Sequence, residues 1–416
     1  MAAIVYHAPF PLDRRAASAS GIRPVRMLDA FRELDFEVLT VTGSARERSR
    51  RLRALRARLE GGQSIEFLYS ESATIPTMLT EPRHLPPHPL LDPALMRLVR
   101  RHGVPTALFY RDIYWAFPDY RERVGAAVAG VMSLVYRYDL AWYSHYIDRL
   151  YIPSSRMGPH VPGFPAERMA PLPPGCQVVD GAEPCRSSGG LHLLYIGGLG
   201  GHYRLEECLR AVTGVPGASL TICTRAAQWE AAREQYAPLV EAADGRIDVV
   251  HGSGQELEVL YERADACVLF VEPDPYREFA APVKLYEYLG HGKPVIAVDI
   301  PTGVEADTGN ASPEAIRADL TVTFGLPKFG HMIGAGETAT GKLLVDDIGI
   351  PKALLEDDTI RQTYLDDVTV APLLLPRPLD VHKGSCGRIL VIGGLLLALT
   401  VPAALSLGRL GHGGLG

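Results

Sequence analysis

The feature that most constrains the fold is a repeated unit in which a short apolar run leads into a glycine- or serine-rich loop and then into a segment with helical periodicity. The unit occurs at residues 4–34, and again at residues 191–212 around a loop with four glycines at 197–201. Strands that alternate with helices in this way form parallel sheets, because each helix returns the chain to the edge where the next strand starts. The pattern therefore predicts an α/β chain with doubly wound parallel sheets.

Two sets of such units lie on either side of a stretch rich in glycine, proline, serine and charge at residues 178–190. In the first set, further β-type runs occur at residues 37–42, 65–69, 107–110 and 141–144. In the second set, they occur at residues 220–223, 247–250, 266–270 and 294–298. A stretch of this composition is typical of a linker. The pattern predicts two Rossmann-like domains, at residues 1–177 and 190–298.

The chain of 416 residues is long enough for two or three domains that each bury a core. Its composition, 47% hydrophobic and 22% charged, is typical of a globular α/β protein. The net charge of −6 gives no general basic field, which argues against nucleic acid as a partner. The six cysteines form no CxxC pair, and no secretion signal precedes the first β run. These observations predict a cytoplasmic protein with reduced thiols.

Two segments leave membrane contact open. Residues 389–407 form an uncharged apolar stretch about long enough to cross a bilayer, although an internal glycine pair favours a buried strand, turn and helix instead. Residues 46–59 carry seven arginines, with Leu52, Leu55 and Leu59 on one helical face. Such a helix either covers the sheet with its leucines or lies on anionic lipid. Peripheral membrane association is therefore the alternative to a purely cytoplasmic location.

The densest group of chemically informative residues follows the β run at 266–270. It reads Pro282-Val-Lys284-Leu-Tyr-Glu287-Tyr-Leu and leads into Gly-Lys-Pro-Val-Ile. A carboxylate suits a vicinal diol because it accepts two charge-assisted hydrogen bonds. The run resembles the donor-site signature of family-four-like GT-B glycosyltransferases. The resemblance implies that Glu287 grips the ribose hydroxyls of a nucleotide sugar and that Lys284 belongs to the donor site, whereas Glu278 lies one position from the family's other glutamate.

A glycine turn after the β run at 191–196 is a second element of the same predicted site. A strand, a glycine turn and a helix form phosphate sites because the helix start presents backbone N–H groups. The resemblance implies that Gly197 and Gly198 belong to the donor-binding turn and that a basic residue after it neutralises the diphosphate. Arg204 occupies that stretch, and it is either this diphosphate ligand or a surface charge on the helix.

Two segments of the first domain point to the acceptor. Residues 9–21 resemble the first loop that closes over the acceptor, with Ser20 and Gly21 in place of the usual glycine pair. Gly21 can bring backbone N–H groups close to a phosphate. Arg111 and Asp112 follow a β run, where ligands of such sheets bind. We interpret them as catalytic or acceptor-binding residues, with a structural Arg–Asp pair as the alternative.

The resemblance implies a GT-B fold, and with it transfer of a sugar, in the manner of a hexosyltransferase, from a nucleotide sugar. The acceptor is unknown, and a lipid-linked acceptor is one alternative. Neither a cofactor nor a catalytic metal is expected, because helix dipoles and basic side chains stabilise the leaving diphosphate in such enzymes.

Beyond residue 296 the resemblance changes. Residues 297–309, 318–328 and 344–350 resemble the second half of NAD(P)H-hydrate epimerase, and residues 377–394 resemble the start of the ADP-dependent NAD(P)H-hydrate dehydratase often fused to it. The sequence thus predicts a partial epimerase-like extension at 299–372 and a truncated dehydratase-like start at 373–416, in a chimeric chain.

In the epimerase resemblance, Asp299 matches the aspartate that contacts the hydrated nicotinamide, and Thr302 matches a residue that helps to bind potassium. The family's Asn-Asn-Gly-Gly-Asp-Gly phosphate loop is absent from the sequence, so this activity is not expected and Asp299 is predicted to be structural. Potassium is expected only if the alternative function holds.

The leading prediction is a glycosyltransferase, and the alternative is an isomerase or lyase acting on NAD(P)H hydrate. A third reading is an inactive binding protein. Because nothing in the tail resembles the closing helices of GT-B enzymes, we expect a loosely held cleft. We also expect strands at 320–324 and 342–345 to extend the second sheet, and protease to remove the region after residue 372 first.

Overall fold

The structure is a computed structural model. It describes residues 2–16, 19–84, 88–179, 190–199, 205–269, 282–346, 348–351 and 354. The chain divides into two compact units, residues 1–350 and 351–416. The strands and helices with defined bounds all belong to the first unit.

The first sheet has six parallel strands in the order β2-β1-β3-β4-β5-β6. They are β1 (Ala3–His7), β2 (Glu37–Val41), β3 (Leu68–Glu71), β4 (Thr106–Phe109), β5 (Arg149–Ile152) and β6 (Met169–Pro171). The helices of this region are α1 (Ala19–Glu33), α2 (Ala45–Glu60), α3 (Leu91–Arg101), α4 (Pro118–Val124) and α5 (Ala126–Tyr146). The reversal of strand order at β1 is the switch point that a doubly wound sheet places beside its ligand.

The arginine-rich segment forms α2 and covers the sheet. Ser44 caps its start, because its hydroxyl accepts from the Glu47 N–H while the Glu47 carboxylate accepts from the Ser44 N–H. The predicted leucine face, Leu52, Leu55 and Leu59, is buried in the core of the first sheet. This confirms the expectation that the leucines cover the sheet, and they do not face a membrane.

One predicted strand of the first region is wrong. Residues 141–144 lie within α5, whose inner side buries residues at helical spacing, among them Tyr136, Leu140 and Tyr143. The apolar run is short, and period alone does not separate a strand from the end of a buried helix. The strand follows directly as β5, whose Leu150 and Ile152 are buried.

The second sheet has four parallel strands in the order β10-β7-β8-β9. They are β7 (Leu191–Ile196), β8 (Ala218–Cys223), β9 (Ile247–Val250) and β10 (Ala266–Cys267). The helices are α6 (Glu206–Gly214), α7 (Ala226–Ala242), α8 (Glu256–Arg263) and α9 (Val283–Gly290). Its core includes the fully buried Tyr195, Leu209, Ile222 and Tyr236. The prediction of an α/β chain with two Rossmann-like parallel sheets is thus confirmed.

A third sheet, which the sequence did not predict, contains β11 (Ile296–Val298), β12 (Leu320–Phe324) and β13 (Lys342–Asp346), all parallel and in that order. Two short helices, α10 (Phe329–Met332) and α11 (Gly334–Thr340), lie between β12 and β13. Among the described residues these strands do not join the second sheet, so the expected extension of that sheet is wrong. Instead, β11 pairs in parallel with β12, and β12 pairs with β13.

No helix in the described parts of the chain is both long and apolar enough to span a membrane. The apolar stretch at residues 389–407 lies outside the described residues.

Candidate functional site

The second sheet ends its strand β7 in a glycine turn that packs closely against α9. Gly197 has a φ of 156°, and a Cβ at this position would collide with the ammonium end of Lys284. Lys284 Nζ donates a hydrogen bond to the Tyr195 hydroxyl at 2.9 Å and lies 4.6 Å from the centre of that ring. The same hydroxyl donates to the carbonyl oxygen of Gly198 at 2.6 Å. The turn therefore holds a positive charge against its backbone, where a larger residue would obstruct it.

Glu287 lies one helical turn after Lys284, so both project from the same side of α9. Its side chain is half-buried, and burial raises the pKa of its carboxyl group, although the charges of His291 and Lys284 oppose the shift. No hydrogen bond or ion pair from the described residues reaches this carboxylate. His291 fixes the helix end, because its ring stacks on Tyr261 with centres 3.7 Å apart and its Nε2 lies 3.2 Å from Glu258 Oε2. Glu287 thus sits on an anchored helix with its hydrogen-bonding capacity unused.

Further polar side chains at this edge were missed by the sequence reasoning. The Tyr288 hydroxyl accepts from the N–H of Ile196 at 3.2 Å and so docks α9 on the end of β7. The buried Lys293 donates to the Ala264 carbonyl at 2.8 Å. Thr224, just after β8, has a buried hydroxyl with no hydrogen-bond partner in the described structure. The Gly-Lys-Pro run is a sequence signal for Lys293, whereas nothing in the sequence distinguishes Thr224.

At the carboxyl edge of the first sheet, a buried carboxylate lies between two guanidinium groups. Glu71, at the end of β3, is fully buried; its Oε1 lies 3.4 Å from Arg23 Nε and its Oε2 lies 3.4 Å from Arg111 Nη2. The Tyr69 hydroxyl donates to Oε1 at 2.8 Å. Burial raises the pKa of Glu71, although the two arginines oppose this shift. Arg23 also lies over the Phe109 ring, 3.6 Å from its centre.

The structure separates the two predicted catalytic residues. Arg111 donates to the Ser20 carbonyl at 2.7 Å and forms its ion pair with Glu71. Asp112 instead accepts from the backbone N–H of Tyr114 at 3.1 Å, at the start of the short 3₁₀ turn that follows. The alternative of an Arg111–Asp112 pair is therefore wrong: the carboxylate that holds Arg111 comes from β3, a distant part of the sequence.

A cleft of about 360 Å³ opens at this edge. It brings together the predicted acceptor residues Ser20 and Gly21 with Arg111, whereas Asp112 is not part of its lining. The remaining lining comes from the loops after β1 and β3, and consists of Phe10, Pro11, Leu12, Asp13, Ala73, Thr74, Ile75 and Thr80.

A second buried network beneath this edge was not predicted. His7 Nδ1 lies 2.8 Å from Ser70 Oγ, and His7 Nε2 lies 3.0 Å from Asp92 Oδ1. Arg48 Nε donates to the same Asp92 oxygen at 3.0 Å, and its Nη1 donates to the Pro9 carbonyl at 2.9 Å. Burial acts to raise the pKa of Asp92, but the His7 and Arg48 hydrogen bonds outweigh it and hold that pKa below its ordinary range. With His7 and Ser70 each 1% exposed, the network positions loops rather than meeting a ligand.

In the third sheet, Asp299 directly follows β11, has a φ of 68° and lies in a cluster of polar groups. Its Oδ1 accepts from Thr323 Oγ1 at 3.0 Å and from Lys328 Nζ, while His331 Nε2 lies 2.7 Å from its carbonyl oxygen. Burial acts to raise the pKa of Asp299, but the hydrogen bonds from Lys328 and Thr323 hold it below its ordinary range. Thr302 is exposed, and its carbonyl accepts from the Ile316 N–H at 3.0 Å.

The third-sheet region also contacts the first sheet, which the sequence did not predict. Glu314 accepts two hydrogen bonds from Ser155, just after β5: one from the backbone N–H at 3.1 Å and one from Oγ at 3.0 Å. The tail therefore makes at least one polar contact with the first region. Arg204, a residue of the predicted donor site, lies outside the described residues, and so does Glu278, which the sequence analysis did not assign to that site.

These features define an α/β protein whose parallel sheets gather charged and hydroxyl side chains at their carboxyl edges, the position at which this class binds its ligands. Comparison with known sequences places part of the chain beside nicotinamide-nucleotide repair enzymes. The family model described as YjeF-related protein N-terminus matches residues 235–330, which begin in α7, upstream of the predicted change of resemblance.

Among curated proteins, the bifunctional NAD(P)H-hydrate repair enzyme Nnr of Thermofilum pendens is 43% identical over 125 residues, which cover 30% of this chain and 23% of that enzyme. The enzyme of the same name from Escherichia coli is 38% identical over 104 residues, covering 25% and 20%. The chain thus spans about a quarter of the length of the curated relatives that it matches.

Among solved structures, the apo form of the lipopolysaccharide outer core galactosyltransferase WaaB aligns over 71% of this chain and 80% of its own, with 12% identity and a TM-score of 0.44. A glycosyltransferase from Rickettsia africae aligns over 71% and 79%, with 9% identity and a TM-score of 0.45. At these scores the superposition is partial, and the functions of those enzymes do not carry over to this chain.

Proposed function

We propose that the chain transfers a glycosyl unit from a nucleotide sugar to an acceptor, with the donor bound at the carboxyl edge of the second sheet. The observation that carries the proposal is that two charged side chains lie one helical turn apart on α9. Lys284 is held against the Gly197 turn, and the half-buried carboxylate of Glu287 has no hydrogen-bond or ion-pair partner among the described residues. A cation at a glycine turn and an unused carboxylate one helical turn away match the two ends of a nucleoside diphosphate.

The diphosphate end is assigned to the turn. The Lys284 ammonium lies beside the backbone of Gly197 and Gly198, where it can neutralise phosphate oxygens. Arg204, which follows the turn in the sequence, is proposed to add a second positive charge. Positive charge placed where the leaving diphosphate develops its own charge stabilises the transition state, so the mechanism needs no metal. We expect transfer to continue in the presence of a chelator.

The ribose end is assigned to Glu287. Burial makes the charged form of this carboxyl group costly, the charges of His291 and Lys284 offset that cost only in part, and no hydrogen bond from a described residue compensates the remainder. Two ribose hydroxyls would donate to its two oxygens and supply that compensation. Binding of the donor is thereby coupled to relief of an unfavourable electrostatic environment in the free protein.

The acceptor is proposed to bind at the edge of the first sheet, in the cleft lined by Ser20, Gly21 and Arg111. Its hydroxyl oxygen would bond to the anomeric carbon as the bond from that carbon to the diphosphate breaks. Arg111 and Asp112 are proposed as the active-site residues on this side. A hexosyl donor and a lipid-linked acceptor are finer proposals that rest on the sequence resemblance.

A second candidate function, epimerisation of NAD(P)H hydrate, is favoured by the family match at residues 235–330 and by the 43% identity to the repair enzyme of Thermofilum pendens. In it, Asp299 contacts the nicotinamide and Thr302 helps to bind potassium. Three observations make it the second choice: the chain spans 23% of that relative, the resembling phosphate loop is absent, and the Asp299 carboxylate already binds Lys328 and Thr323.

Isothermal titration of the full chain with UDP, GDP, ADP and NADPH separates the candidates. We expect UDP or GDP to bind, and Glu287→Ala to weaken that binding by about tenfold or more, since a hydrogen bond to a charged group is worth about 1.5–3 kcal/mol. Glu262→Ala, which removes an exposed carboxylate from α8, is the matched control and should bind as the parent does.

Absence of binding by both UDP and GDP would sink the proposed function. NADPH binding that is lost in Asp299→Ala but kept in Glu287→Ala would establish the second candidate instead. Nucleotide binding without any transfer would favour the reading of an inactive binding protein.

A further inference from the structure

The carboxyl edge of the first sheet carries more positive than negative charge in its buried cluster. Two guanidinium groups, those of Arg23 and Arg111, share the single carboxylate of Glu71. The Nε atom of Arg111 is shielded from solvent and has no hydrogen-bond partner among the described residues, whereas Arg23 Nε lies 3.4 Å from Glu71 Oε1 as an ion pair without a hydrogen bond. One positive charge is therefore not neutralised within the cluster, and donor groups remain unused.

This cluster adjoins a cleft of suitable chemistry. Arg111 is part of the cleft wall, together with the hydroxyl residues Ser20, Thr74 and Thr80. Asp13 also lines the cleft, but its exposed carboxylate already accepts from the N–H of Arg15 at 2.8 Å. The wall thus offers a guanidinium group and several hydroxyl residues.

The guanidinium groups are held in fixed positions before any ligand arrives. The ring of Phe109 lies under Arg23, and the Ser20 carbonyl accepts from Arg111 Nη1 while Glu71 lies beside Nη2. Glu71 itself is held by the Tyr69 hydroxyl at 2.8 Å. A charged group held in place by buried partners binds an anion without the entropy cost of ordering a long side chain.

We propose that the acceptor of the transfer reaction carries an oxyanion, a phosphate or a carboxylate, which binds in this cleft to Arg111, with Arg23 adding its charge. Glu71 is the internal counter-ion that positions both arginines and competes with the ligand for them. The identification of the bound anion as the acceptor rests on the proposed function. The anion site itself rests only on the cluster of Arg23, Arg111 and Glu71.

The test uses the full chain and substitutions that change the charge of the cluster in opposite directions. Inorganic phosphate and acetate are titrated into the parent, Arg111→Gln and Glu71→Gln. Removing the guanidinium is expected to weaken binding of the preferred anion by about tenfold, the effect of one charge-assisted hydrogen bond. Neutralising Glu71 is expected to strengthen it, because both arginines are then released from their competitor. Arg26→Gln, an exposed arginine on α1, is the matched control and should not change binding.

Opposite effects of the two substitutions are the signature of the proposal, because a merely structural cluster would lose binding in both. Weaker anion binding in Glu71→Gln would overturn the proposal. Anion binding that is unchanged in Arg111→Gln would overturn it as well. If Arg111→Gln does not fold, the Glu71→Gln result decides alone.

Vesicles of phosphatidylcholine with and without phosphatidic acid identify the source of the oxyanion. Arg111-dependent binding to phosphatidic acid vesicles supports a lipid-linked phosphate, and Arg111-dependent binding of inorganic phosphate alone supports a soluble one. Titration of UDP and GDP into the same variants keeps the two proposals apart. If the parent binds neither UDP nor GDP, the proposed function is wrong, but the anion site is unaffected. If the parent binds a nucleotide but no anion, only the present inference is wrong.

Discussion

The carboxyl edges of the first and second sheets carry similar side chains but leave their carboxylates in different states. At the first sheet, Glu71 and Asp92 are almost completely buried, and each is held by arginine and a further hydrogen-bonding side chain. At the second sheet, Glu287 is half-buried and has no such partner among the described residues. A fully buried charge needs partners from the protein itself, because no solvent reaches it.

The comparison separates a carboxylate that maintains structure from one that can serve a ligand. Asp92 holds Arg48, and through it the loop at Pro9, in place, so its loss should be felt in folding first. The Glu287 side chain makes no hydrogen bond or ion pair with the described residues, so its loss should affect ligand binding before folding. Substitutions of these residues, followed by measurements of stability and of ligand binding, test this distinction.

The largest effect is expected from Asp92→Ala. The substitution leaves Arg48 and His7 buried without their shared acceptor, and breaking such a pair costs about 3–5 kcal/mol. Denaturant unfolding followed by tryptophan fluorescence should show a much lower midpoint, since Trp115 and Trp142 lie in the core of the first sheet. Asp248→Ala, at an exposed position of β9, is the control and should shift the midpoint little. Equal midpoints for the two variants would mean that the network does not stabilise the fold.

An intermediate effect is expected from Gly197→Ala. The new Cβ would collide with the Lys284 ammonium and push it away from the glycine turn. The displaced ammonium would no longer lie beside the turn, so UDP or GDP affinity should fall by about tenfold in calorimetric titration, the effect of one hydrogen bond to a charged group. Gly214→Ala, whose Cβ would meet nothing within 4 Å, should keep the parent affinity. Unchanged nucleotide binding in Gly197→Ala would remove Lys284 from the donor site.

The smallest effect is expected from Glu287→Gln and depends on pH. Because burial raises the pKa of Glu287 above its ordinary value of 4.5, its ionised form destabilises the folded state at neutral pH. The variant should therefore unfold at a slightly higher temperature than the parent at pH 7. The difference should shrink as the pH falls through the raised pKa and should vanish below about 4.5, where the parent is protonated in both states. Glu262→Gln should show no such pH dependence, and a destabilised Glu287→Gln at pH 7 would assign this residue a structural role.

Much of the fold follows from local sequence patterns. The strands β1, β2, β7, β8 and β9 occur close to the predicted β runs, because each is an apolar segment bounded by a loop and followed by helical periodicity. The grouping of Lys284 and Glu287 is also local, since three positions on one helix place two side chains on one side. The secondary structure of residues 141–144 cannot be predicted from local sequence, because a short apolar run fits a strand or the end of a buried helix equally well.

The α/β class, the parallel sheets and the pair of residues on α9 that we propose as the centre of the donor site can therefore be predicted from the amino-acid sequence. The pairing of Arg111 with Glu71 rather than with its neighbour Asp112, and of β11 with β12 rather than with the second sheet, is known only from the packed structure. The spacing of apolar residues along the sequence indicates which face of a helix or strand is buried. Ion pairs and strand pairing depend instead on which distant segments the packed chain brings together, and that information is not contained in any local stretch of sequence.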